Sequence, residues 1–237
     1  GKNFFGEIPL KWSFAGNTGT GKSTVAEIMS DLLKAMNILG NGQFIEIKGE
    51  QLYNVPDYKV DEVLQDAMKK SGQGLLFIDG DSPKFKNAYN TFDSEQLRIK
   101  LARYTSALPG AHALIIAENR APRQDLVEQL IGNGAHEVDH TLIFEDYTSE
   151  ELFEILKQML SDKDFSFEQK AESIMQHYIE YLCSDQYSCY ANARTMKIIS
   201  RTIMQNAYLR LGEAGIKFSR NRITHADVAC FEIDERQ

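Results

Sequence analysis

A glycine-rich run near the start of the chain has residue types and spacing that could bind phosphate. It fits the pattern G-x-x-x-x-G-K-[ST] at every fixed position. In this pattern the glycines let backbone N–H groups converge on a β-phosphate, the lysine reaches the β- and γ-phosphates, and the serine hydroxyl binds Mg²⁺. The run therefore predicts a site for a nucleotide and Mg²⁺, formed by Gly16, Asn17, Thr18, Gly19, Thr20, Gly21, Lys22, Ser23 and the adjacent Thr24.

A second motif could complete the metal site. The apolar run Leu75 to Ile78 ends in Asp79. Many buried strands end in aspartate, so this feature is weak alone. After a complete P-loop, however, an aspartate in this position is suited to hold the water shell of Mg²⁺. We therefore predict that Ser23 and Asp79 are the protein's contribution to a Mg²⁺ site.

The segments that must position these residues alternate between short apolar strands and helices. Such an order predicts an α/β domain with a parallel sheet flanked by helices. The predicted strands are Trp12 to Ala15, Phe44 to Lys48, Leu75 to Asp79, Ala113 to Ala117 and Thr141 to Phe144, and the predicted helices are Ser23 to Met36, Val60 to Lys70 and Ser94 to Ala107.

The pattern changes after Tyr147, where the strands give way to helices. Thr148-Ser149-Glu150-Glu151 has the spacing of a capping box, which predicts a helix that begins here and extends to about Leu160. Further helices are predicted near Phe167 to Cys183 and over Ala193 to Leu211. We therefore divide the chain into an α/β nucleotide-binding domain, residues 1–147, and a small all-α lid domain, residues 148–237.

Composition narrows the class of protein. The formal net charge of −8 argues against a general role in binding nucleic acid or a membrane surface, because both would repel it. Three cysteines without C-x-x-C spacing predict reduced thiols and a cytoplasmic location. The chain starts only a few residues before its first strand, which favours a fragment of a longer protein.

These motifs, in this order, resemble an AAA+ ATPase. The resemblance runs from about Trp12 to Asp227 and rests on Phe14 to Ala26, Leu76 to Asp79, Phe144 to Tyr147 and Asn192-Ala193-Arg194. It is greatest for the branch that contains red-type Rubisco activase and stage V sporulation protein K. The resemblance implies a hexameric ring, ATP with Mg²⁺ bound between subunits, and work on a client protein at the central pore. It also implies that Arg194 is the sensor 2 arginine, which contacts the γ-phosphate.

Two departures from the family pattern concern hydrolysis. Active members follow the Walker B aspartate with a glutamate that polarises the attacking water, whereas this chain has Gly80, and Asp81 is only a weak substitute. Loss of a positioned general base commonly costs roughly 10²- to 10⁴-fold in rate. The arginine finger is also missing from its expected stretch, since no arginine occurs from Gln124 to Ala193. A trans arginine finger contributes roughly 10³ to 10⁵ in rate.

Other family elements are less distinct. Asn119 is the best candidate for sensor 1, with Glu118 second, although a turn before Ala121-Pro122 explains Asn119 nearly as well. Tyr53 or Tyr58 could contact a client in place of the family's pore loop, but packing is the simpler interpretation.

Two other enzyme classes share motifs with this sequence. His136-Glu137-Val138-Asp139-His140 fits the zinc-peptidase motif H-E-x-x-H, but the run leads into a predicted strand, where the helical spacing of the two histidines is lost. A P-loop kinase for a small molecule usually needs an arginine-rich lid, whereas the arginines of this lid begin only at Arg194.

The sequence therefore predicts an AAA+ domain that binds ATP and hydrolyses it weakly or not at all. Its predicted role is structural or regulatory, in a ring with copies of itself or with other AAA+ domains. The alternative is an active AAA+ ATPase that remodels a client protein.

Overall fold

The computed structural model describes residues 10–40, 42–48, 51, 56–79, 113–118, 140–184, 191–213 and 221–233. The chain forms two compact units. The first holds residues 1–17 and 21–145, and the second holds residues 18–20 and 146–237. The middle of the phosphate-binding loop is therefore grouped with the C-terminal part of the chain. The boundary at residues 147 and 148 stays a prediction.

A parallel five-stranded sheet forms the centre of the first unit, as the alternation of strands and helices predicted. Its strands are β1 (Lys11–Gly16), β2 (Phe44–Lys48), β3 (Leu75–Asp79), β4 (Ala113–Glu118) and β5 (His140–Phe144). Each predicted strand is present to within one residue at either end. The spatial order is β2-β3-β4-β1-β5, and every neighbouring pair is parallel.

Helices cover both faces of this sheet. Alternate residues of a strand point to opposite faces, so one strand contributes to two separate cores. Leu75 and Phe77 of β3 share a core with helix α1 (Lys22–Ala35). Leu76 and Ile78 share a different core with helix α2 (Asp57–Ser71). This explains why β3 is apolar without interruption. The helix predicted over Ser94 to Ala107 lies outside the described residues.

The second unit is mainly helical. Its first helix, α3 (Ser149–Ser161), begins with the predicted capping box, because the Thr148 hydroxyl accepts from the Glu151 N–H and the Glu151 carboxylate accepts from the Thr148 N–H. It is followed by α4 (Gln169–Cys183), α5 (Asn192–Glu213) and the short α6 (His225–Val228). Their shared core includes Leu152, Leu156, Met175, Ile179, Met196 and Ile203.

One feature of the second unit was not predicted. Phe165–Phe167 forms a short strand, β6, which pairs in parallel with β7 (Asn221–Ile223). The helix predicted from near Phe167 therefore begins only at Gln169. The partner strand lies more than fifty residues further along the chain, so the local pattern did not reveal the pairing.

In the described parts of the chain, none of the helices qualifies as a membrane-spanning segment by its length and hydropathy.

Candidate nucleotide-binding site

The phosphate-binding loop joins β1 to α1, so the predicted strand-loop-helix context is present. Gly19 and Gly21 have φ values of +81° and +95°, in the region that favours glycine. A Cβ atom added to Gly19 would also lie 2.2 Å from the backbone oxygen of Ala191. Backbone conformation and close packing therefore both require glycine at residue 19.

Lys22 is positioned within this loop. Its side chain is buried, and Nζ donates to the backbone oxygens of Gly16, at 2.8 Å, and Asn17, at 2.7 Å. The ammonium group is therefore already directed along the backbone that would receive a phosphate. Ser23 and Thr24 follow in the first turn of α1 and are exposed. Because the N-terminal end of a helix favours anions, a phosphate group next to Ser23 and Thr24 would also be stabilised by α1.

Asp79 is the last residue of β3 and is partly exposed. It is paired in register with Ala117 of β4, which is paired with Phe14 of β1. Two strand spacings separate the Cα atoms of Asp79 and Phe14 by about 10 Å. Asp79 thus lies at the carboxyl edge of the sheet, where the loop after β1 also begins. Ligands of open α/β sheets bind at this edge.

The donors available in the first unit suit Mg²⁺. A hydroxyl from Ser23 and a carboxylate from Asp79 are hard oxygen ligands of the kind Mg²⁺ prefers, and this ion usually keeps several of its own waters. Among the described residues, no three His, Cys, Asp or Glu side chains form a cluster that could hold a metal by themselves. A site with few protein ligands plus nucleotide phosphates is consistent with both observations.

A buried asparagine at the start of α5 contacts the middle of the loop within the second unit. The Asn192 side chain accepts from the Tyr147 N–H at 3.0 Å. Its amide nitrogen donates to the Thr18 backbone oxygen at 3.2 Å and to Asp146 Oδ1 at 2.7 Å. Sequence reasoning used Asn192, Asp146 and Tyr147 only as parts of a family pattern. Their contacts join residues up to 174 positions apart, so no local signal indicated them.

Two further bonds reach the same part of the loop. The Ala193 N–H donates to the Gly19 oxygen at 3.2 Å, and the Tyr147 hydroxyl donates to the Thr20 oxygen at 3.3 Å. Consecutive carbonyl groups at residues 18, 19 and 20 are therefore all held by donors from residues 147–193.

Arg194 lies in the first turn of α5, and its side chain is exposed. Its backbone N–H donates to the Ala191 oxygen at 3.0 Å, which helps to form the start of the helix. The predicted contact of its guanidinium with a γ-phosphate stays a prediction.

Several predicted residues lie outside the described part of the chain. They include Gly80, the weak substitute Asp81, the sensor 1 candidate Asn119, and the client-contact candidate Tyr53. The interpretation as a zinc site was already disfavoured. His140 is the first residue of β5, so it lies in a strand as expected. The other residues of that motif, 136–139, are also outside the described range.

Comparison with known proteins supports the resemblance. Residues 148–237 match the family model described as an AAA lid domain. The chain is 26% identical to stage V sporulation protein K of Bacillus subtilis, over 96% of this chain and 71% of that protein. It is 28% identical to the chloroplastic ribulose bisphosphate carboxylase/oxygenase activase of Cyanidioschyzon merolae, over 84% of this chain and 64% of that protein.

A solved structure shows the same fold. The FIGL-1 AAA domain in complex with ADP superposes with a TM-score of 0.59 and 17% identity, covering 96% of this chain and 75% of that chain. The parallel sheet flanked by helices and the helical lid are therefore those of an AAA domain. This chain is an AAA+ protein related to Rubisco activase and stage V sporulation protein K.

Proposed function

We propose that this chain binds ATP with Mg²⁺, hydrolyses it weakly or not at all, and serves as a structural or regulatory domain in a ring-shaped assembly. The observation that carries the proposal is the combination of a complete phosphate-binding loop with glycine at residue 80, directly after Asp79. The first feature retains nucleotide binding, and the second removes the side chain that would activate water.

Nucleotide binding is supported by the state of the loop. Lys22 is buried and directed along the loop backbone, so little side-chain ordering remains to be paid for when a phosphate arrives. Ser23 and Asp79 supply oxygen ligands of the kind that Mg²⁺ prefers. The similar FIGL-1 domain was solved with ADP, which favours an adenine nucleotide here.

Weak hydrolysis follows from chemistry that the sequence lacks. Gly80 has no side chain with which to orient or deprotonate a water molecule. The expected stretch also contains no arginine that could stabilise charge on the transferred phosphoryl group. Loss of the general base alone would cost roughly 10²- to 10⁴-fold, and loss of the arginine roughly 10³- to 10⁵-fold. Because groups that act in one catalytic step are not additive, the combined loss is at least the larger of the two.

A role in a ring follows from the family. A domain that binds ATP without using it can still hold a place beside active neighbours and report the nucleotide state. Other AAA+ domains, identical or different, are the proposed partners. The alternative is an active motor that remodels a client protein, as the name of the activase relative suggests.

The proposal is tested by measuring two properties of the same sample. One is the affinity for a fluorescent ATP analogue with Mg²⁺, and the other is phosphate release from ATP over a range of protein concentrations. We expect binding without measurable turnover at every concentration. Turnover that rises with concentration would refute weak hydrolysis and favour an active, self-assembling ATPase.

Matched variants assign the site. Lys22→Ala should reduce affinity at least tenfold, because it removes the cation that contacts the phosphates. Lys34→Ala, near the other end of α1, should leave affinity unchanged. Equal effects of the two substitutions would remove the loop from the binding site. Transfer of phosphate from ATP to a small metabolite would instead identify a kinase.

A further inference from the structure

We propose that Asn192 is a positioning residue for nucleotide binding, which fixes the backbone of the phosphate-binding loop at Thr18. This inference rests on the proposed function, because it concerns the same nucleotide site. It assigns a role to an amide side chain that contacts the loop from outside and need not contact the nucleotide.

The first observation is the series of three held carbonyl groups. The oxygens of Thr18, Gly19 and Thr20 accept from the Asn192 side chain, the Ala193 N–H and the Tyr147 hydroxyl respectively. All the donors belong to the second unit, as do the three acceptors. Three consecutive carbonyl groups of the central loop are therefore each bonded to a donor that is far along the chain.

The geometry of the peptide bond gives this arrangement a consequence. In a planar trans peptide, the C=O of one residue and the N–H of the next point in opposite directions. The chain contains no cis peptide among its described residues. Bonding the three carbonyls to donors from residues 147–193 therefore directs each following N–H group, of Gly19, Thr20 and Gly21, away from its own carbonyl's donor. In a phosphate-binding loop these N–H groups are the phosphate donors.

Asn192 is suited to this task because its orientation is fully determined. The Tyr147 N–H can only donate, so it selects the amide oxygen. The Asp146 carboxylate and the Thr18 carbonyl are acceptors, so they select the amide nitrogen. The side chain is 1% exposed. A rotated amide would face the Tyr147 N–H with its nitrogen and the two acceptors with its oxygen, so the buried Asn192 side chain would lose all three bonds.

The backbone at Asn192 suggests the substitution that isolates the side chain. Its φ is +48°, a conformation that glycine adopts without strain. Asn192→Gly therefore removes the amide while permitting the same backbone. Asn37 has a φ of +56° and is exposed, in a turn after α1. Asn37→Gly is a matched control for the change in backbone entropy.

The experiment compares these two variants and the wild type in the full 237-residue chain. Affinity for a fluorescent ATP analogue with Mg²⁺ is measured first. We expect Asn192→Gly to weaken binding about tenfold, which corresponds to about 1.4 kcal/mol. Asn37→Gly should stay within twofold of the wild type. Equal affinity for all three proteins would overturn the inference.

A second measurement needs no nucleotide. The Ala193 N–H bonds to the Gly19 oxygen, so its hydrogen exchange, followed by NMR, reports whether the loop is held. Exchange should be several times faster in Asn192→Gly than in Asn37→Gly. If the wild type binds no nucleotide, the proposed function fails, and this rate still decides whether Asn192 fixes the loop backbone at Thr18. Equal exchange in the two variants would then overturn it.

Asn192→Asp separates the two halves of the amide. It keeps an oxygen that can accept from Tyr147 but removes both donors and places a second carboxylate beside Asp146. We expect this variant to bind the analogue no better than Asn192→Gly. Wild-type affinity in Asn192→Asp would show that the bond to Thr18 has no positioning role.

Discussion

Gly19→Ala tests whether the close packing of the phosphate-binding loop matters for binding. A Cβ atom at this position would lie 2.2 Å from the Ala191 oxygen, whereas real contacts of this kind stay above 3.0 Å. The two backbone segments would have to separate by about 0.8 Å, the difference between these values. Such a shift would stretch the 3.2 Å bond from the Ala193 N–H to the Gly19 oxygen beyond hydrogen-bonding distance.

The loss in free energy of unfolding has four contributions. A positive φ costs an alanine about 1–2 kcal/mol, and the reduced entropy of the unfolded chain returns about 0.4–1 kcal/mol. A forced displacement of packed atoms adds about 1–3 kcal/mol, and the lost hydrogen bond about 1 kcal/mol. We therefore expect Gly19→Ala to destabilise the protein by about 4 kcal/mol.

Gly72→Ala is the matched control, because only the first part of this cost applies to it. Gly72 has a φ of +57°, but the nearest atom to an added Cβ, the Cα of Gly42, is 3.8 Å away. With a ψ of −127° as well, Gly72 lies outside the left-handed helical region, so this variant should lose about 1–3 kcal/mol of stability through backbone strain alone. A loss of nucleotide affinity confined to Gly19→Ala would therefore isolate the contact with Ala191.

Two assays decide the prediction. Unfolding in urea is followed by the fluorescence of Trp12, the only tryptophan and a buried residue of β1, and by circular dichroism for the helical unit. Affinity for the ATP analogue should fall roughly 30- to 160-fold for Gly19→Ala, if 2–3 kcal/mol is lost at the site. It should be unchanged for Gly72→Ala. Equal unfolding midpoints and equal affinities for the two variants would refute the reasoning.

Three further predictions concern the lid. Arg210 donates twice to the buried carboxylate of Asp227, at 2.8 and 3.0 Å, so Arg210→Ala should lower the free energy of unfolding by about 3 kcal/mol in urea. The Thr148 hydroxyl caps α3, so Thr148→Ala should cost about 1 kcal/mol in the same assay. Hydrogen bonds from its own backbone N–H and from Thr148 lower the pKa of the Glu150 carboxylate in the folded protein. These bonds should therefore stabilise the fold fully above the pKa of an unfolded glutamate, about 4.3, and this stabilisation should be lost as the pH falls through the lower pKa of the folded state. Thermal midpoints measured against pH should decline less steeply in acid for Glu150→Gln.

Controls for the first two substitutions lie on the same helix, α5. Arg201 is exposed, and Arg201→Ala should change the unfolding midpoint little. Thr202 lies in the interior of the helix rather than at its start, so Thr202→Ala should be neutral or slightly stabilising. A loss in either control equal to that of its test variant would contradict the assigned bond. An identical acid decline in Glu150→Gln and the wild type would contradict the third prediction.

The family and the positions of the strands were readable from sequence because their signals are local. The fixed residues of the loop occupy consecutive positions, and the capping box of α3 needs only Thr148 and Glu151. β3 was readable as a run of apolar residues, Leu75 to Ile78, that is followed by Asp79. Helix ends were predicted less well. The structure starts α2 at Asp57, whereas the sequence predicted Val60, because apolar periodicity does not mark where a helix begins.

The sequence could not reveal contacts between distant segments. The alternating Phe165-Ser166-Phe167 becomes a strand only because residues 221–223 lie beside it. Gly19 must be glycine partly because the Ala191 backbone is adjacent, and Asn192 contacts Thr18 across 174 positions. Local patterns determined which residues could bind a phosphate. The tertiary structure decided how the carbonyl groups of residues 18–20 are held, because their donors belong to residues 147, 192 and 193, far along the chain.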